Sequence, residues 1–245
     1  REAHAKLAAL QKRRDDMLSV LSHEFRTPLG IIQASGDLLA RGNLPPSQLK
    51  KTSEKLSDGV QRLLRLVAGV RNAAVVRNSE VQVQNGVFSL SDITSGIVSQ
   101  LSEATRAVRN LTFEEKIQPK LLVAGDDVLI GLALSNLLHN AIRFTPDGGR
   151  IRVAASESLG VVSLEVSDTG IGIAEHQRGA IFEKFYEVGD MLAHSSGSLS
   201  FKSGGIGLGL STVKSILDAH RASLEVESGK GGGSTFRIRL RAATK

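Results

Sequence analysis

Leu21-Ser22-His23-Glu24-Phe25-Arg26-Thr27-Pro28-Leu29-Gly30 carries a helical apolar period straight through a histidine, a carboxylate and a proline. Working outward, the apolar positions Leu7, Leu10, Met17, Leu21, Phe25, Pro28 and Ile32 follow one another by three, four or seven residues, the spacing of a heptad seam. A helix is expected over residues 2–41, stopped by Gly42 and by Pro45-Pro46, which fit only the first turn of a new helix. A second seam follows at Leu49, Ser53, Leu56, Val60, Leu63, Val67, Val70 and Ala74. Two helices on a short connection form an antiparallel hairpin, and one hairpin cannot bury both seams, so pairing of two copies into a four-helix bundle is expected ahead of an intramolecular coiled-coil stalk.

The same stretch carries chemistry. His23 offers a nucleophilic imidazole, Glu24 a neighbouring base, and Thr27 a hydroxyl one helical turn further on. Pro28 removes the hydrogen bond to the Glu24 carbonyl, at a cost of about 3 kcal/mol in a helix interior. Two readings stay open for it: a loosening of the helix beside the reactive residue, or a tolerated kink.

Composition narrows the rest. The 245 residues suffice for two domains, and the formal charge of +6 is spread along the chain without a dense basic block. With almost no aromatic residues interleaved, nucleic-acid binding is disfavoured. The absence of Cys excludes disulfides, thiolate chemistry and Cys-based zinc sites and suits a reducing, cytoplasmic setting. No apolar run reaches the roughly 18 residues needed to span a bilayer. The chain begins at Arg1 rather than Met, so it is expected to be a piece of a longer protein, whose contact with a membrane would run only through a segment upstream.

Beyond residue 75 the heptads end. Residues 1–75 are expected as the helical domain, 76–85 as a linker and 86–245 as a second domain. Within it, strands are expected near 87–90, 111–115, 121–124, 149–155, 161–167, 223–227 and 234–240. Helices are expected from a cap at Ser91 or Asp92 to about 109, from Asp126 or Asp127 to Phe144, over 174–184 and over 208–220. Strands and helices intermix and several strands are hairpin neighbours, so an α/β sandwich with a mixed sheet and helices on one face is expected.

Three segments of this domain carry residues a plain core does not need. Asn136 and Asn140 are spaced i, i+4, with Arg143 one turn beyond. An Asn140 amide oxygen suits Mg²⁺ when its other ligands are water and phosphate, and Arg143 is placed to meet phosphates. Asp168-Thr169-Gly170-Ile171-Gly172-Ile173 follows a strand: its carboxylate can accept a hydrogen bond from an adenine amino group, and its glycines admit a flat base. Gly205, Gly207 and Gly209 run with Leu208 and Leu210 into a helix start, where backbone N–H groups favour phosphate. The Gly-Lys-Ser/Thr ending of a P-loop is missing.

Taken in order, these motifs resemble the catalytic region of sensor histidine kinases over residues of about 2–241. Residues 22–29 look like the H box, 136–144 the N box, 168–173 the G1 box, 182–186 the F box and 205–211 the G2 box. The resemblance implies a helical-hairpin dimerisation and phosphotransfer domain, forming a four-helix bundle in a homodimer, followed by a Bergerat-type (GHKL) ATP-binding domain. It implies ATP and Mg²⁺ as ligands, with His23 attacking the γ-phosphate and Glu24 taking or orienting its proton. Asn140 would bind Mg²⁺ and Asp168 would read adenine. Asn136, Arg143, Phe144, Gly170, Gly172, Ile173, Tyr186, Gly205, Gly207, Leu208, Gly209 and Leu210 would complete the pocket, under a lid between the G1 and G2 boxes. The partner implied is the receiver domain of a response regulator, and Thr27 matches the position of a residue that places water for dephosphorylating it.

Two features depart from the family pattern. Glu187 stands after the F-box Phe-Tyr where many relatives carry a basic residue, leaving Lys184 and Lys202 as substitutes, and the turn His220-Arg221-Ala222 lacks the usual Gly, a change expected to be local and harmless. The histidines other than His23 are expected to serve packing or surface. Competing readings are a dimeric scaffold with weak catalysis and a GHKL-type ATPase that forms no phosphohistidine.

Overall fold

A computed structural model describes residues 2–42, 44–75, 83–84, 86–183, 186, 207–229 and 231–243. It divides into two compact units, Arg1–Arg71 and Asn72–Lys245. No helix among the described residues is long and apolar enough to cross a membrane.

The first unit is the expected hairpin: α1 (Glu2–Ala40) and α2 (Pro46–Val75). Gly42, at φ +72°, ends α1 in the left-handed conformation open to glycine. Pro46 occupies the first position of α2, where its missing N–H costs nothing. α1 continues through Pro28, which is buried along with Leu21 and Ser35. Opposite it, a Cβ on Gly59 would lie 3.0 Å from Ile32 Cγ1 and 3.3 Å from the Pro28 carbonyl oxygen. The two helices therefore approach closely where proline and glycine meet.

Within one hairpin the α2 seam is only partly covered. Thr52 and Gly59 are buried, Leu56 and Leu63 are half-buried, and Leu49, Val60 and Val67 are exposed, as are Leu29 and Leu38 of α1. Gly59 lets α2 meet α1 closely at Pro28, Ile31 and Ile32, whereas Leu49, Val60 and Val67 remain exposed.

The second unit is a two-layer α/β sandwich. Its five-stranded sheet has the order β2-β4-β5-β7-β6, built from β2 (Thr112–Ile117), β4 (Arg150–Ser158), β5 (Val161–Asp168), β6 (Ser223–Ser228) and β7 (Ser234–Arg241). β2 and β4 are parallel and the other neighbours antiparallel, which makes the sheet mixed. β1 (Gly86–Ser89) and β3 (Leu122–Gly125) form a separate antiparallel pair.

Strand alternation assigns the faces. Val153, Val166, Phe236 and Val226 align across the sheet on one side, as do Ala155, Leu164, Ile238 and Leu224. They join one core with Ile130, Leu134, Leu137 and Leu138 of α4 (Asp127–Phe144), Val98 of α3 (Leu90–Arg106), and Val213, Ile216 and Leu217 of α5 (Gly209–Ala219). The opposite face is polar: Arg237 donates to Glu165 at 2.6 Å and Glu227 at 3.0 Å across neighbouring strands.

Local chemistry explains where elements differ from the sequence reading. α3 is capped by Ser89, whose hydroxyl accepts the Asp92 N–H, rather than by Ser91 or Asp92. Ser91 is buried in the first turn, where its hydroxyl donates to the Gln118 carbonyl and accepts the Leu121 N–H. The helix expected over 174–184 is instead a pair of single 3₁₀ turns, Glu175–Gln177 and Ala180–Phe182.

Arg221 adopts φ +53° at the turn into β6, the left-handed conformation in which a Cβ costs about 1 kcal/mol. Arg221→Gly is therefore expected to stabilise this unit, limited by the freedom glycine adds to the unfolded chain. A melting midpoint raised by about 1–3 °C would register it. An unchanged or lowered midpoint would show that the turn bears no strain.

Candidate nucleotide site

β5 delivers Asp168 to the end of the sheet, in register with Ser234 on β7 and Ile151 on β4. Its Oδ1 accepts the Gly170 N–H at 2.7 Å. Burial raises its pKa to about 6, and the Gly170 and Ser234 backbone hydrogen bonds oppose that rise without cancelling it. These two donors do not offset the burial of the charge, so a further donor arriving from a ligand, such as an exocyclic amino group, suits it.

The turn after Asp168 is walled on two sides. On one side, the Ile171 N–H donates to the Phe144 carbonyl at 3.1 Å, and a Cβ on Gly170 would strike that same carbonyl. On the other lies the β6–β7 turn: Gly231 N–H donates to Ile171 O at 2.8 Å, Gly233 N–H to Gly170 O at 3.1 Å, and Ile173 N–H to the Ser228 hydroxyl at 2.7 Å. Gly172 takes φ +70°, and a Cβ there would run into the Gly229 carbonyl. Glycine is required at both 170 and 172 by the neighbouring backbone. The supporting residues Ser228, Gly229, Gly231 and Gly233 are absent from the sequence reading, although the run Ser228-Gly229-Lys230-Gly231-Gly232-Gly233 was visible as a Gly cluster between two strands.

α4 supplies a second wall. Asp126 caps it, with Oδ1 accepting the Leu129 N–H at 3.0 Å, a contact worth about 1 kcal/mol. Asn136 and Asn140 are both half-buried, and Asn136 Nδ2 donates to the Leu132 carbonyl one turn back at 2.9 Å. The start of α5 adjoins them: a Cβ on Gly209 would lie 3.3 Å from Asn136 Oδ1 and 3.9 Å from Asn140 Nδ2. Gly207 is at φ +65°. Leu208, buried before the first turn, has no side-chain oxygen to cap it, so the first N–H groups of α5 keep their capacity for an anion.

At the other end of α4, the Arg143 guanidinium lies 4.8 Å from the Phe144 ring centroid. Ile173, Phe182, Tyr186 and Leu210 are partly buried against the core. Phe182 is also approached by Lys214 Nζ at 5.9 Å. Asn136, Asn140, Asp168, Gly170, Gly172, Gly207 and Gly209 thus stand on three adjoining elements of one unit. Gly205, Lys184, Phe185, Glu187 and Lys202 lie outside the described residues. His23, Glu24 and Thr27 belong to α1 of the other unit; the side chains of His23 and Glu24 lie outside the described residues, and Thr27 is half-buried.

His220, expected to serve packing or surface, bridges two elements. Its Nδ1 donates to the Ile216 carbonyl at 2.8 Å, leaving Nε2 to accept the Asp126 N–H at 3.0 Å, beside the cap of α4.

The raised pKa of Asp168 has a sign. Below pH about 3.8 the carboxyl is protonated folded and unfolded alike; as pH rises through about 6 the folded state must hold a charge its burial disfavours. The ligand-free unit is therefore expected to lose on the order of 3 kcal/mol between pH 4 and 7 from this group. Affinity for a ligand whose amino group donates to the ionised carboxylate should run the opposite way, falling about tenfold per unit below pH 6. Calorimetric titration with ADP from pH 5 to 8 checks this; a flat profile would show that no donor of that nucleotide bonds the ionised carboxylate.

Two family models match the chain: the His Kinase A (phospho-acceptor) domain over residues 13–74, and the histidine kinase-, DNA gyrase B- and HSP90-like ATPase over residues 125–244. The chain belongs to the sensor histidine kinases. The ATPase family's match covers every nucleotide-site element described above, so this half of the histidine kinase chain is an ATP-binding domain.

Among relatives, the circadian input-output histidine kinase CikA of Thermosynechococcus vestitus is 31% identical over 99% of this chain and 33% of its own length. The phosphate regulon sensor protein PhoR of Pseudomonas aeruginosa is 30% identical over 93% of this chain and 50% of its own length. The chain thus spans a third to a half of these curated relatives. Among solved structures, full-length ShkA in complex with AMPPNP matches with a TM-score of 0.67 at 25% identity, covering 94% of this chain and 46% of that one. Histidine kinase ThkA in complex with response regulator protein TrrA matches with a TM-score of 0.70 at 23% identity, covering 97% and 66%.

Proposed function

We propose that the chain autophosphorylates on His23 from ATP and passes the phosphoryl group to an aspartate of a response regulator receiver domain. Residues 1–75 would serve as the dimerisation and phosphotransfer domain, 76–85 as the linker and 86–245 as the catalytic domain. The observation that carries the reading is the half-buried Asp168 carboxyl on a glycine turn that tolerates no side chain, in the same unit as the paired asparagines of α4. Full-length ShkA was solved with AMPPNP, and ThkA with a response regulator.

In this reading the His23 imidazole attacks the γ-phosphorus, an N–P bond forms, the bond to the β-phosphate oxygen breaks and ADP leaves. Glu24 accepts or orients the imidazole proton. Asp168 accepts a hydrogen bond from the adenine amino group, Phe144, Ile173 and Tyr186 border the base, and Gly205, Gly207, Leu208, Gly209 and Leu210 offer backbone to the phosphates. Asn136 and Arg143 hold the α4 wall.

Asn140, half-buried on α4 beside the start of α5, would hold Mg²⁺ through its amide oxygen, and one such oxygen suffices for an ion coordinated mainly by phosphate and water. When bound, that ion would offset charge developing on the phosphates.

Leu29, Leu38, Leu49, Val60 and Val67 are exposed on the hairpin. A second copy covering them would complete the four-helix bundle.

His23→Gln tests the reading against a GHKL-type ATPase: full ATP hydrolysis with no phosphoprotein in the variant would favour the ATPase. Thr27 is the proposed water-positioning residue for regulator dephosphorylation. Thr27→Ala is expected to lower phosphatase activity on a cognate regulator at least tenfold while autophosphorylation persists; dephosphorylation at the original rate would remove that role.

A further inference from the structure

We infer that Arg109, in the turn between α3 and β2, is a positioning residue for the adenine end of the nucleotide site, an inference that rests on the proposed role of Asp168. Its side chain is only 6% exposed, and its guanidinium spans three groups at the exit of α4. Nε donates to Asp147 Oδ1 at 2.6 Å, Nη2 to the Thr145 carbonyl at 2.8 Å, and Nη1 reaches the Ile142 carbonyl at 3.5 Å.

These are the carbonyls a helix leaves without internal partners at its C-terminal end, where a cation is also favoured by the helix dipole. Between Ile142 and Thr145 lies Phe144, whose carbonyl accepts the Ile171 N–H and closes against Gly170. Arg109 thus fixes the strip of backbone on which the Asp168–Ile173 turn leans.

The clamp extends to the following turn. Asp147 Oδ1 also accepts the Asn110 N–H at 3.3 Å, the Gly148 N–H donates to Asn110 O at 2.6 Å, and the Thr112 N–H donates to Gly149 O at 3.0 Å. Arg109 beside it holds the Asp147 carboxyl below the usual carboxylate range. β4 begins at Arg150, whose N–H donates to the Thr169 hydroxyl at 2.9 Å and whose carbonyl accepts the Thr169 N–H. Both routes out of Arg109, through Phe144 and through Arg150, end on the residues flanking Asp168. A lysine carries the charge but lacks the planar fork that reaches several acceptors at once.

The test is calorimetric titration of the full chain with ADP and with GDP. Arg109→Lys is expected to weaken ADP binding about tenfold and GDP binding much less, shrinking the adenine preference. Asp147→Asn, at an exposed position, should shift the preference in the same direction by less. A folded Arg109→Lys chain that keeps the wild-type affinity and preference overturns the inference. So does an equal loss for both nucleotides, which marks general destabilisation. If Arg109→Lys does not fold, an unchanged preference in Asp147→Asn overturns it instead. Failure of the unsubstituted chain to bind ADP is a separate outcome, and removes the nucleotide-site reading together with this inference.

Discussion

Asp168→Asn is expected to reduce ADP affinity at least a hundredfold while leaving the fold intact. The amide keeps the oxygen that accepts the Gly170 N–H, so the turn retains its internal bond. It loses the negative charge and replaces one acceptor by a donor that opposes an adenine amino group. Leaving a buried polar pair mismatched costs a few kcal/mol, which is two to three powers of ten in affinity. Titration with ADP, accompanied by thermal melting of the ligand-free chain, separates binding from folding. ADP affinity within threefold of the original would show that Asp168 does not read the base.

Gly172→Ala should be the most damaging single methyl in the nucleotide unit. The residue sits at φ +70°, and the added carbon would overlap the Gly229 carbonyl and lie 3.3 Å from the Gly231 nitrogen. Left-handed strain contributes about 1 kcal/mol, and forcing two backbone segments apart adds roughly 1–3 kcal/mol more. The melting midpoint is expected to fall by about 5–15 °C, with loss of ADP binding, because the displaced segment carries Gly170–Ile173. Gly179→Ala is the control: its φ is −76° and its Cβ would meet nothing within 4 Å. Equal melting midpoints for the two variants would contradict the account of the turn.

Residues whose role depends on near neighbours in the chain were legible from sequence. Asp126 before an apolar period announces a capped helix, and the i, i+4 spacing of Asn136 and Asn140 places both on one face. Asp168 at the end of an alternating strand announces the turn. What escaped depends on backbone meeting backbone across long separations. Gly229, Gly231 and Gly233 brace the Asp168–Ile173 turn from about 60 residues away, and Arg109 reaches α4 carbonyls more than 30 residues on. Neither contact leaves a period in the sequence.

The α2 seam shows a different limit. Heptad spacing placed Ser53 and Val60 on the seam, whereas the close approach at Pro28 inside one hairpin uses the smaller Gly59, with Thr52 buried seven residues earlier. Likewise Ser91 looked like a cap, and its hydroxyl is instead committed to Gln118 and Leu121. Arg221 stands in the left-handed conformation where glycine relieves strain, so the departure from the family pattern at this turn, expected to be harmless, carries a conformational cost.

The central claim is that the phosphoryl group of ATP ends on His23. Incubation of the chain with Mg²⁺ and γ-labelled ATP, followed by acid and alkali treatment and mapping of the labelled peptide, tests it directly. The account predicts a label that is lost in acid, survives alkali and maps to His23. A label that survives acid, or one retained in full by His23→Gln, would contradict it.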